Sequence, residues 1–137
     1  MKTIVVGYDE TQPARHALKR AAELAAAFGS RVIVTSVSPV AAGFGSREGG
    51  VDPTDSPDEH QQELDNAKAF LTERGIAGEY RIGVGDPAEA IVELADEVGA
   101  DLIVVGSRHL SLVQSMLGIS VSGAVKRKAH CDVLTVQ

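Results

Sequence analysis

The chain contains 137 residues with a formal net charge of −6, and its hydrophobic and charged fractions, 44% and 23%, are close to those of an average globular protein. Its length and composition predict one domain spanning residues 1–137 and exclude a disordered or fibrous chain. The negative charge argues against nucleic-acid binding, because the longest basic run, Lys126-Arg127-Lys128, is better explained as the cations at the end of a helix.

The N-terminal part of the chain predicts a strand, a helix and a second strand. Thr3–Gly7 is a nearly continuous apolar run, which is typical of a central strand covered on both faces. The helix has Pro13 in its first turn, an apolar stripe at helical spacing, and Gly29 as its stop. Arg31–Val37 predicts the second strand. Residues 38–57 then form a long and mobile connection rich in Gly, Pro and Asp. It is either a lid or, as we favour, a loop without a function of its own.

The middle of the chain predicts a helix, a strand and another helix. The first of these helices begins at Ser56-Pro57-Asp58-Glu59, where a hydroxyl cap precedes a proline and a carboxylate, and it ends at Gly75. Glu79–Val84 alternates apolar and polar residues, as an edge strand does. The next helix starts in the same way at Asp86-Pro87-Ala88-Glu89 and ends at Gly99.

The C-terminal part predicts two more strands with a helix between them. Leu102–Gly106 is a second continuous apolar run and therefore a second central strand. A last helix begins near Ser120, and Asp132–Val136 forms the final strand. Right-handed crossovers turn this alternation into an α/β fold with three layers, αβα, around a five-stranded parallel sheet of order 3-2-1-4-5.

The predicted sheet order places one candidate ligand crevice at its centre. In an open parallel sheet, ligands bind beyond the carboxyl ends of the strands at the point where the strand order reverses. This point lies between Gly7-Tyr8-Asp9 and Gly106-Ser107-Arg108-His109. The Asp9 carboxylate could accept hydrogen bonds from ribose hydroxyls or hold a metal-bound water, and Arg108 could pair with phosphate oxygens. The alternative is that both glycines are ordinary turn residues and that Asp9 caps the next turn.

A second candidate feature is the start of the last helix, Gly118-Ile119-Ser120-Val121-Ser122. Free amides and hydroxyls at a helix N-terminus can bind an anion, because the exposed N–H groups and the helix dipole both favour negative charge. The same serines would also serve as ordinary N-caps, each contributing about 1 kcal/mol to the helix. The spacing alone favours the capping interpretation.

Several segments resemble the universal stress protein family, and the similarity extends through nearly the whole chain. The most specific are Gly85-Asp86-Pro87-Ala88-Glu89-Ala90-Ile91 and the run from Ala100 to Arg108. The opening strand with Asp9 and the closing strand Asp132–Val136 also match. The resemblance implies a Rossmann-like fold of the adenine nucleotide alpha hydrolase-like type. In nucleotide-binding members of the family, it further implies a glycine pattern that holds the phosphates.

That pattern is Gly, two residues, Gly, nine residues, then Gly and Ser or Thr, and this chain departs from it. Gly106 and Ser120 take the first and last positions, but His109 and Ile119 replace the other two glycines. Histidine tolerates a positive φ and can donate to a phosphate, whereas a β-branched residue there is an outlier. Gly118 could take over the turn through a shift of one residue. A loss of about 2 kcal/mol would weaken binding roughly thirtyfold, which still permits binding of an abundant nucleotide.

The resemblance implies an adenine nucleotide, ATP or AMP, with or without Mg, as the ligand. Adenine and ribose would then lie near three residues, and the phosphates near seven. These candidate contacts are Gly7, Asp9 and Val37, followed by Gly106, Arg108, His109, Gly118, Ser120, Val121 and Ser122. The alternative is a degenerate site that binds nothing. Family members commonly form homodimers by pairing their last strands, which the apolar edge of residues 132–136 would allow.

No catalytic motif is found in the sequence. It contains neither a GxxxxGK[ST] phosphate loop nor a GxSxG nucleophile elbow, and the four histidines have no metal-ligand spacing. We interpret His16, His60 and His130 as surface or helix-end residues. The loose dinucleotide pattern Gly83–Ala88 follows a predicted edge strand and is explained as a helix start. The protein is therefore expected to be no enzyme, or at most to hydrolyse bound ATP slowly.

The sequence also predicts where the protein resides. Cys131 is the single cysteine and cannot form an internal disulfide, which fits a reducing cytoplasm. The chain opens directly with a strand-like run, so no signal peptide is expected, and no apolar stretch approaches the roughly 20 residues of a membrane span. Two function classes remain for a soluble cytoplasmic protein of this kind: a nucleotide-sensing regulator and a dimeric interaction module with a degenerate site.

Overall fold

In the computed structural model, which describes residues 1–38, 57–107 and 121–137, strands and helices alternate along the chain. The strands are β1 (Thr3–Gly7), β2 (Arg31–Ser38), β3 (Gly78–Val84), β4 (Leu102–Gly106) and β5 (Asp132–Val136). The helices of the described residues are α1 (Gln12–Phe28), α2 (Pro57–Glu73), α3 (Pro87–Val98) and α4 (Val121–Lys128). This order confirms the predicted alternation, and the predicted long connection lies, apart from its ends, outside the described residues.

The strands form one parallel sheet in the order β3-β2-β1-β4-β5. β1 lies at the centre, where Ile4 is in register with Val32 of β2 and with Leu102 of β4. The continuous apolar runs of β1 and β4 are buried, as expected for strands covered on both faces. The predicted α/β class and the strand order 3-2-1-4-5 are confirmed.

Alternate side chains of the strands enter two separate core clusters, one on each face of the sheet. Ile4 and Val6 lie in a cluster with residues of α1 and α2. Val5 lies in a second cluster with residues of α3 and α4. This arrangement makes the three layers predicted from the sequence. No helix of the described residues is long and apolar enough to cross a membrane.

The helices α1 and α3 begin at capping side chains, and α1 ends at a glycine, as predicted. The Thr11 hydroxyl accepts a hydrogen bond from Ala14 N at the start of α1, and Gly29 ends this helix with a φ of 68°. The Asp86 carboxylate caps α3 by accepting from Glu89 N at 2.9 Å. Lys126-Arg127-Lys128 lies in the last turn of α4, which confirms the interpretation of this run as helix-end cations.

The amino edge of the sheet is held by the carboxylate of Asp101. Its Oδ2 atom accepts hydrogen bonds from Lys2 N at 2.7 Å and from Thr3 N at 3.0 Å. In return, Asp101 N donates to Thr3 O at 2.9 Å. The bond from Thr3 N, followed by that from Lys2 N, lowers the pKa of Asp101 below its ordinary value. The start of β4 is thereby tied to the start of β1.

We expect this carboxylate to stabilise the fold at neutral pH and not in acid. Because its pKa is lower in the folded chain than the usual value of about 3.9, its contribution is fully present above that value. It is lost as the pH falls through the folded pKa. Asp101→Asn should therefore lower the melting temperature at neutral pH, and the difference from wild type should shrink toward acid. Thermal unfolding followed by circular dichroism measures the melting temperatures, and Glu73→Gln, at an exposed position, is the control. Equal melting temperatures for Asp101→Asn and wild type at neutral pH would contradict the prediction.

Candidate functional site

The candidate crevice lies at the carboxyl edge of the sheet, between the ends of β1 and β4. These strands are neighbours, and Gly7 and Gly106 are their last residues. Val37 lies on the other side of β1, two residues beyond Thr35, which is in register with Gly7. Val121 and Ser122 begin α4, which connects back from this edge. Arg108, His109, Gly118 and Ser120 lie outside the described residues.

Gly106 is required for the packing of α1 on the sheet. A Cβ atom at this position would lie 2.6 Å from the carbonyl carbon of Pro13 and 2.7 Å from Ala14 N. These are backbone atoms in the first turn of α1, so they cannot move aside without shifting the helix. Gly106 also has no positive φ. One alternative was that Gly106 is an ordinary turn glycine. Its packing instead indicates a residue that lets a helix approach the sheet closely.

Gly7 has a related role on the opposite face. A Cβ atom there would lie 2.8 Å from Cδ1 of Ile91 in α3 and 3.4 Å from Cγ1 of Val105. Gly7 likewise has no positive φ. Because the close contact is with the end of a flexible side chain, this position is less restricted than Gly106. The two glycines predicted for the ligand site thus have packing roles that do not depend on a ligand.

Asp9 shapes the loop between β1 and α1. Its Oδ1 atom accepts from Thr11 N at 3.1 Å and from Thr11 Oγ1 at 2.6 Å. Thr11 in turn caps α1, so Asp9 supports the start of the helix. This agrees with the alternative that Asp9 caps the turn after β1. Between them, Glu10 has a φ of 62°, which is uncommon for a residue other than glycine. Its Oε2 atom accepts from Asn66 Nδ2 at 2.7 Å, which ties this loop to α2.

Tyr8, between Gly7 and Asp9, does not contribute to the edge surface. Its side chain is buried in the core cluster formed with α1 and α2. Burial, followed by the nearby Glu10 carboxylate, raises the pKa of the Tyr8 phenol. Of the segment Gly7-Tyr8-Asp9, the exposed side chain is that of Asp9.

Val37 supplies an apolar surface beside the crevice. It is half-buried and packs against the core cluster formed with α3 and α4. On its other side is Gly83 of β3, where an added Cβ atom would lie 3.3 Å from Val37 Cγ2. The backbone of β3 therefore approaches Val37 closely, which holds the valine at a defined place near the strand end.

A buried polar cluster under α2 was not anticipated from the sequence. Ser36 Oγ donates to Glu63 Oε1 at 2.5 Å, and His60 Nδ1 lies 2.7 Å from Ser36 Oγ. Ser36 is 1% exposed and His60 is 9% exposed. Of the two expected places for His60, the surface or a helix end, the structure shows the second, because His60 lies in the first turn of α2 and is buried. The signal was present, because His60 occupies the first position of the buried stripe His60, Leu64, Ala67 and Leu71, which has helical spacing.

The geometry of this cluster does not fit nucleophilic catalysis. In a Ser-His-Asp triad, the histidine contacts the serine and the acid through different ring nitrogens. Here Nδ1 contacts both, since it also lies 3.1 Å from Glu63 Oε1, and Nε2 is buried without a hydrogen-bond partner among the described residues. No group of three metal-ligating side chains occurs in the described parts of the chain either. The cluster therefore holds the end of β2 against α2, directly before Val37.

The comparisons with known proteins agree with this fold. The model of the universal stress protein family matches residues 1–137. The chain is 36% identical over 141 residues to a universal stress protein of Mycobacterium tuberculosis, covering 98% of this chain and 95% of the relative. A solved universal stress protein in complex with cAMP is 34% identical, with a TM-score of 0.78 and coverage of 99% and 97%. A second, from Archaeoglobus fulgidus in complex with dAMP, is 28% identical, with a TM-score of 0.76 and coverage of 100% and 98%.

The two packing glycines should respond differently to substitution. Gly106→Ala should lower the free energy of unfolding by about 1–3 kcal/mol, because the backbone of Pro13 cannot yield. Gly7→Ala should cost less, and combining it with Ile91→Val should restore part of the loss by removing the Cδ1 atom that clashes. Urea denaturation measures all four proteins. Equal losses for the two alanine variants, or no effect of Ile91→Val on Gly7→Ala, would contradict these packing roles.

The buried cluster should make Ser36 important for stability. Ser36→Ala should cost about 1–3 kcal/mol, because it removes the hydroxyl that contacts both the buried His60 and the partly buried Glu63. Ser30→Ala is a matched control, since that hydroxyl makes one bond, to Met1 O at 2.7 Å. Its loss should cost about 0.5–1.5 kcal/mol. Chemical denaturation compares the two, and a smaller loss for Ser36→Ala than for Ser30→Ala would refute a shared-partner role.

Proposed function

Because the chain belongs to the universal stress protein family, we propose that it is a regulatory protein that binds an adenine nucleotide, AMP or ATP, at the carboxyl edge of its sheet. One observation carries this proposal: two solved members of the family, similar to this chain over almost its whole length, are complexes with cAMP and dAMP. Residues 1–137 would act as one domain, and the single half-buried cysteine favours the cytoplasm as the place of action.

The adenine and ribose would lie above the ends of β1 and β2. Val37 offers a half-buried apolar contact for the base, held in place by the close approach of Gly83. The ribose hydroxyls would donate to the exposed Asp9 carboxylate. A carboxylate accepts several hydrogen bonds, so the two donated by Thr11 at Oδ1 are compatible with this role. When ATP is accompanied by Mg, the same carboxylate would hold a water of the ion.

The phosphates would lie toward the start of α4. Val121 and Ser122 are the first described residues of this helix, whose positive dipole end favours an anion. The Arg108 guanidinium would pair with phosphate oxygens, and Gly118 and Ser120 would add backbone and hydroxyl donors. Gly106, at the end of β4, would lie at the same edge, where it lets the first turn of α1 approach the sheet closely.

Ligand binding at this edge would be coupled to a homodimer formed through β5. Ser107, the residue after β4, donates its N–H to Val136 O at 2.7 Å. The candidate site therefore touches the last residue of β5 through one hydrogen bond. The side chains of Val133, Leu134 and Val136 are half-buried in the single chain, and pairing of two β5 edges would cover them further.

A dimeric interaction protein with a degenerate site is the competing function. The packing roles of Gly7 and Gly106 favour it, since both glycines would be retained in a protein that binds no ligand. Titration of the purified chain with ATP, AMP and cAMP separates the two functions. We expect heat on mixing and a rise in melting temperature with at least one nucleotide, by mass action. The absence of heat and of any thermal shift at millimolar ligand would leave only the interaction protein.

Replacing the two side chains that occupy glycine positions of the family pattern tests where the nucleotide binds. If His109 and Ile119 crowd the phosphates, the double substitution His109→Gly and Ile119→Gly should tighten binding by up to about thirtyfold. His130→Gly is the control, because this exposed histidine lies in the loop after α4, away from the candidate crevice. There it contacts Asp96 of α3. Isothermal titration gives the dissociation constants, and an unchanged or weakened affinity in the double variant would place the phosphates elsewhere.

A further inference from the structure

The outer edge of β3 is unpaired among the strands of the described residues. β3 lies at one end of the sheet and pairs on one side with β2, while no described strand pairs with its other side. Val32 N donates to Ala77 O, and Val32 is in register with Gly78. The backbone groups of alternate residues thus point toward β2. The N–H and C=O groups directed away from the sheet are those of Gly78, Tyr80, Ile82 and Val84.

One face of this edge strand carries exposed apolar side chains. Val84 is 66% exposed and Ile82 is 38% exposed, and they are two of the four exposed large hydrophobic residues in the described chain. Edge strands are normally protected from pairing by charged side chains, above all lysine, by proline or by a bulge. The sequence from Gly78 to Val84 contains neither lysine nor proline, and its register with β2 is continuous. In the part of the chain that the structure describes, this edge is therefore open to a further strand.

We propose that β3 pairs antiparallel with β3 of a second copy of this chain, about a two-fold axis at Tyr80. Of the two-fold registers that place outward-directed backbone groups opposite each other, three pair at least five residues of β3, those centred on Tyr80, Arg81 and Ile82. Centring on Arg81 sets two arginines against each other, and centring on Ile82 sets Arg81 against a glycine. Centring on Tyr80 sets Glu79 of each copy opposite Arg81 of the other, and opposite charges in directly facing pairs stabilise a sheet. Charge complementarity thus selects this register.

The charged side chains that would meet across the axis are already held in place. Glu79 Oε2 lies 2.6 Å from Arg31 Nη1, and Arg81 Nη1 lies 2.8 Å from Glu97 Oε2. Glu79 and Arg81 are themselves 3.6 Å apart at their closest atoms. Their side chains are 41% and 40% exposed, so each can take a further partner. The second copy would extend this row of ion pairs without rearranging it.

The opposite face of the paired strands would be apolar in the same register. Ile82 of one copy would face Gly78 of the other. A Cβ atom at Gly78 would lie 2.5 Å from the Tyr80 hydroxyl, which shows that the Tyr80 side chain covers this glycine. Ile82 would therefore contact the aromatic side chain instead of an empty position. Val84, the most exposed of these residues, would come beside the partly buried Ile76.

This contact is a small interface of one strand pair, so we expect a weak association that depends on concentration. It does not rest on nucleotide binding, and it uses the edge of the sheet opposite to β5. A homodimer through β5 would leave it available. Copies joined at both edges would form a continuous sheet across several chains.

The first experiment measures association by sedimentation equilibrium of the whole chain. Val84→Arg should weaken the β3 association at least about tenfold, because it places a charge beside the apolar Ile76 at each end of the apolar face. Phe28→Arg is the matched control, since Phe28 is 59% exposed at the end of α1 and lies outside β3; it should leave association unchanged. If the Val84→Arg variant and the wild-type chain had the same mass distribution, the proposal would be overturned.

The second experiment tests the register by disulfide formation in a Cys131→Ser background. Chains carrying Glu79→Cys and chains carrying Arg81→Cys are mixed and oxidised, because these two positions face each other in the proposed pair. The mixed disulfide should exceed either single-variant disulfide, since directly opposite residues fall within the distance that a disulfide spans and diagonal ones do not. Predominance of the Arg81→Cys homodimer, or no cross-link at all, would overturn the proposed register.

Discussion

The close approach of α1 to the end of β4 is the constraint on which the carboxyl edge of this protein depends. The first turn of the helix lies so near Gly106 that its backbone atoms occupy the place of a side chain. On the other face, Ile91 of α3 similarly fills the space beside Gly7. Both helical layers are thus anchored against the two central strands at the edge where the candidate ligand crevice opens, so the geometry of the crevice follows from the packing of the core.

The sequence was sufficient to predict the layers and the strand order, because each depends on local patterns. Continuous apolar runs identified β1 and β4 as central strands, and the alternation in β3 identified an edge. The bounds differ by about one residue, since β2 extends to Ser38 and β3 begins at Gly78. Strand ends depend on pairing with neighbours, which a single sequence does not specify.

The role of individual residues was harder to predict where it depends on contacts distant in the sequence. The packing of Gly7 against Ile91 and of Gly106 against Pro13 was not predicted, because these contacts join distant parts of the chain. His60 was expected at the surface or at a helix end, and its burial against Ser36 was not predicted, although its position in a helical stripe favours burial. A buried polar residue is stable when its partners lie on another element, and the sequence does not show which elements meet.

The hydrogen bond from Ser107 to Val136 has a consequence for a protein assembled through β5. In such a dimer, one copy of β5 from each chain would separate the two ligand crevices, and each β5 would be bonded at its end to the segment that follows β4. A shift of that segment in one subunit would reach the other through two adjacent strands. The two crevices would then communicate, so that occupancy of one alters the affinity of the other.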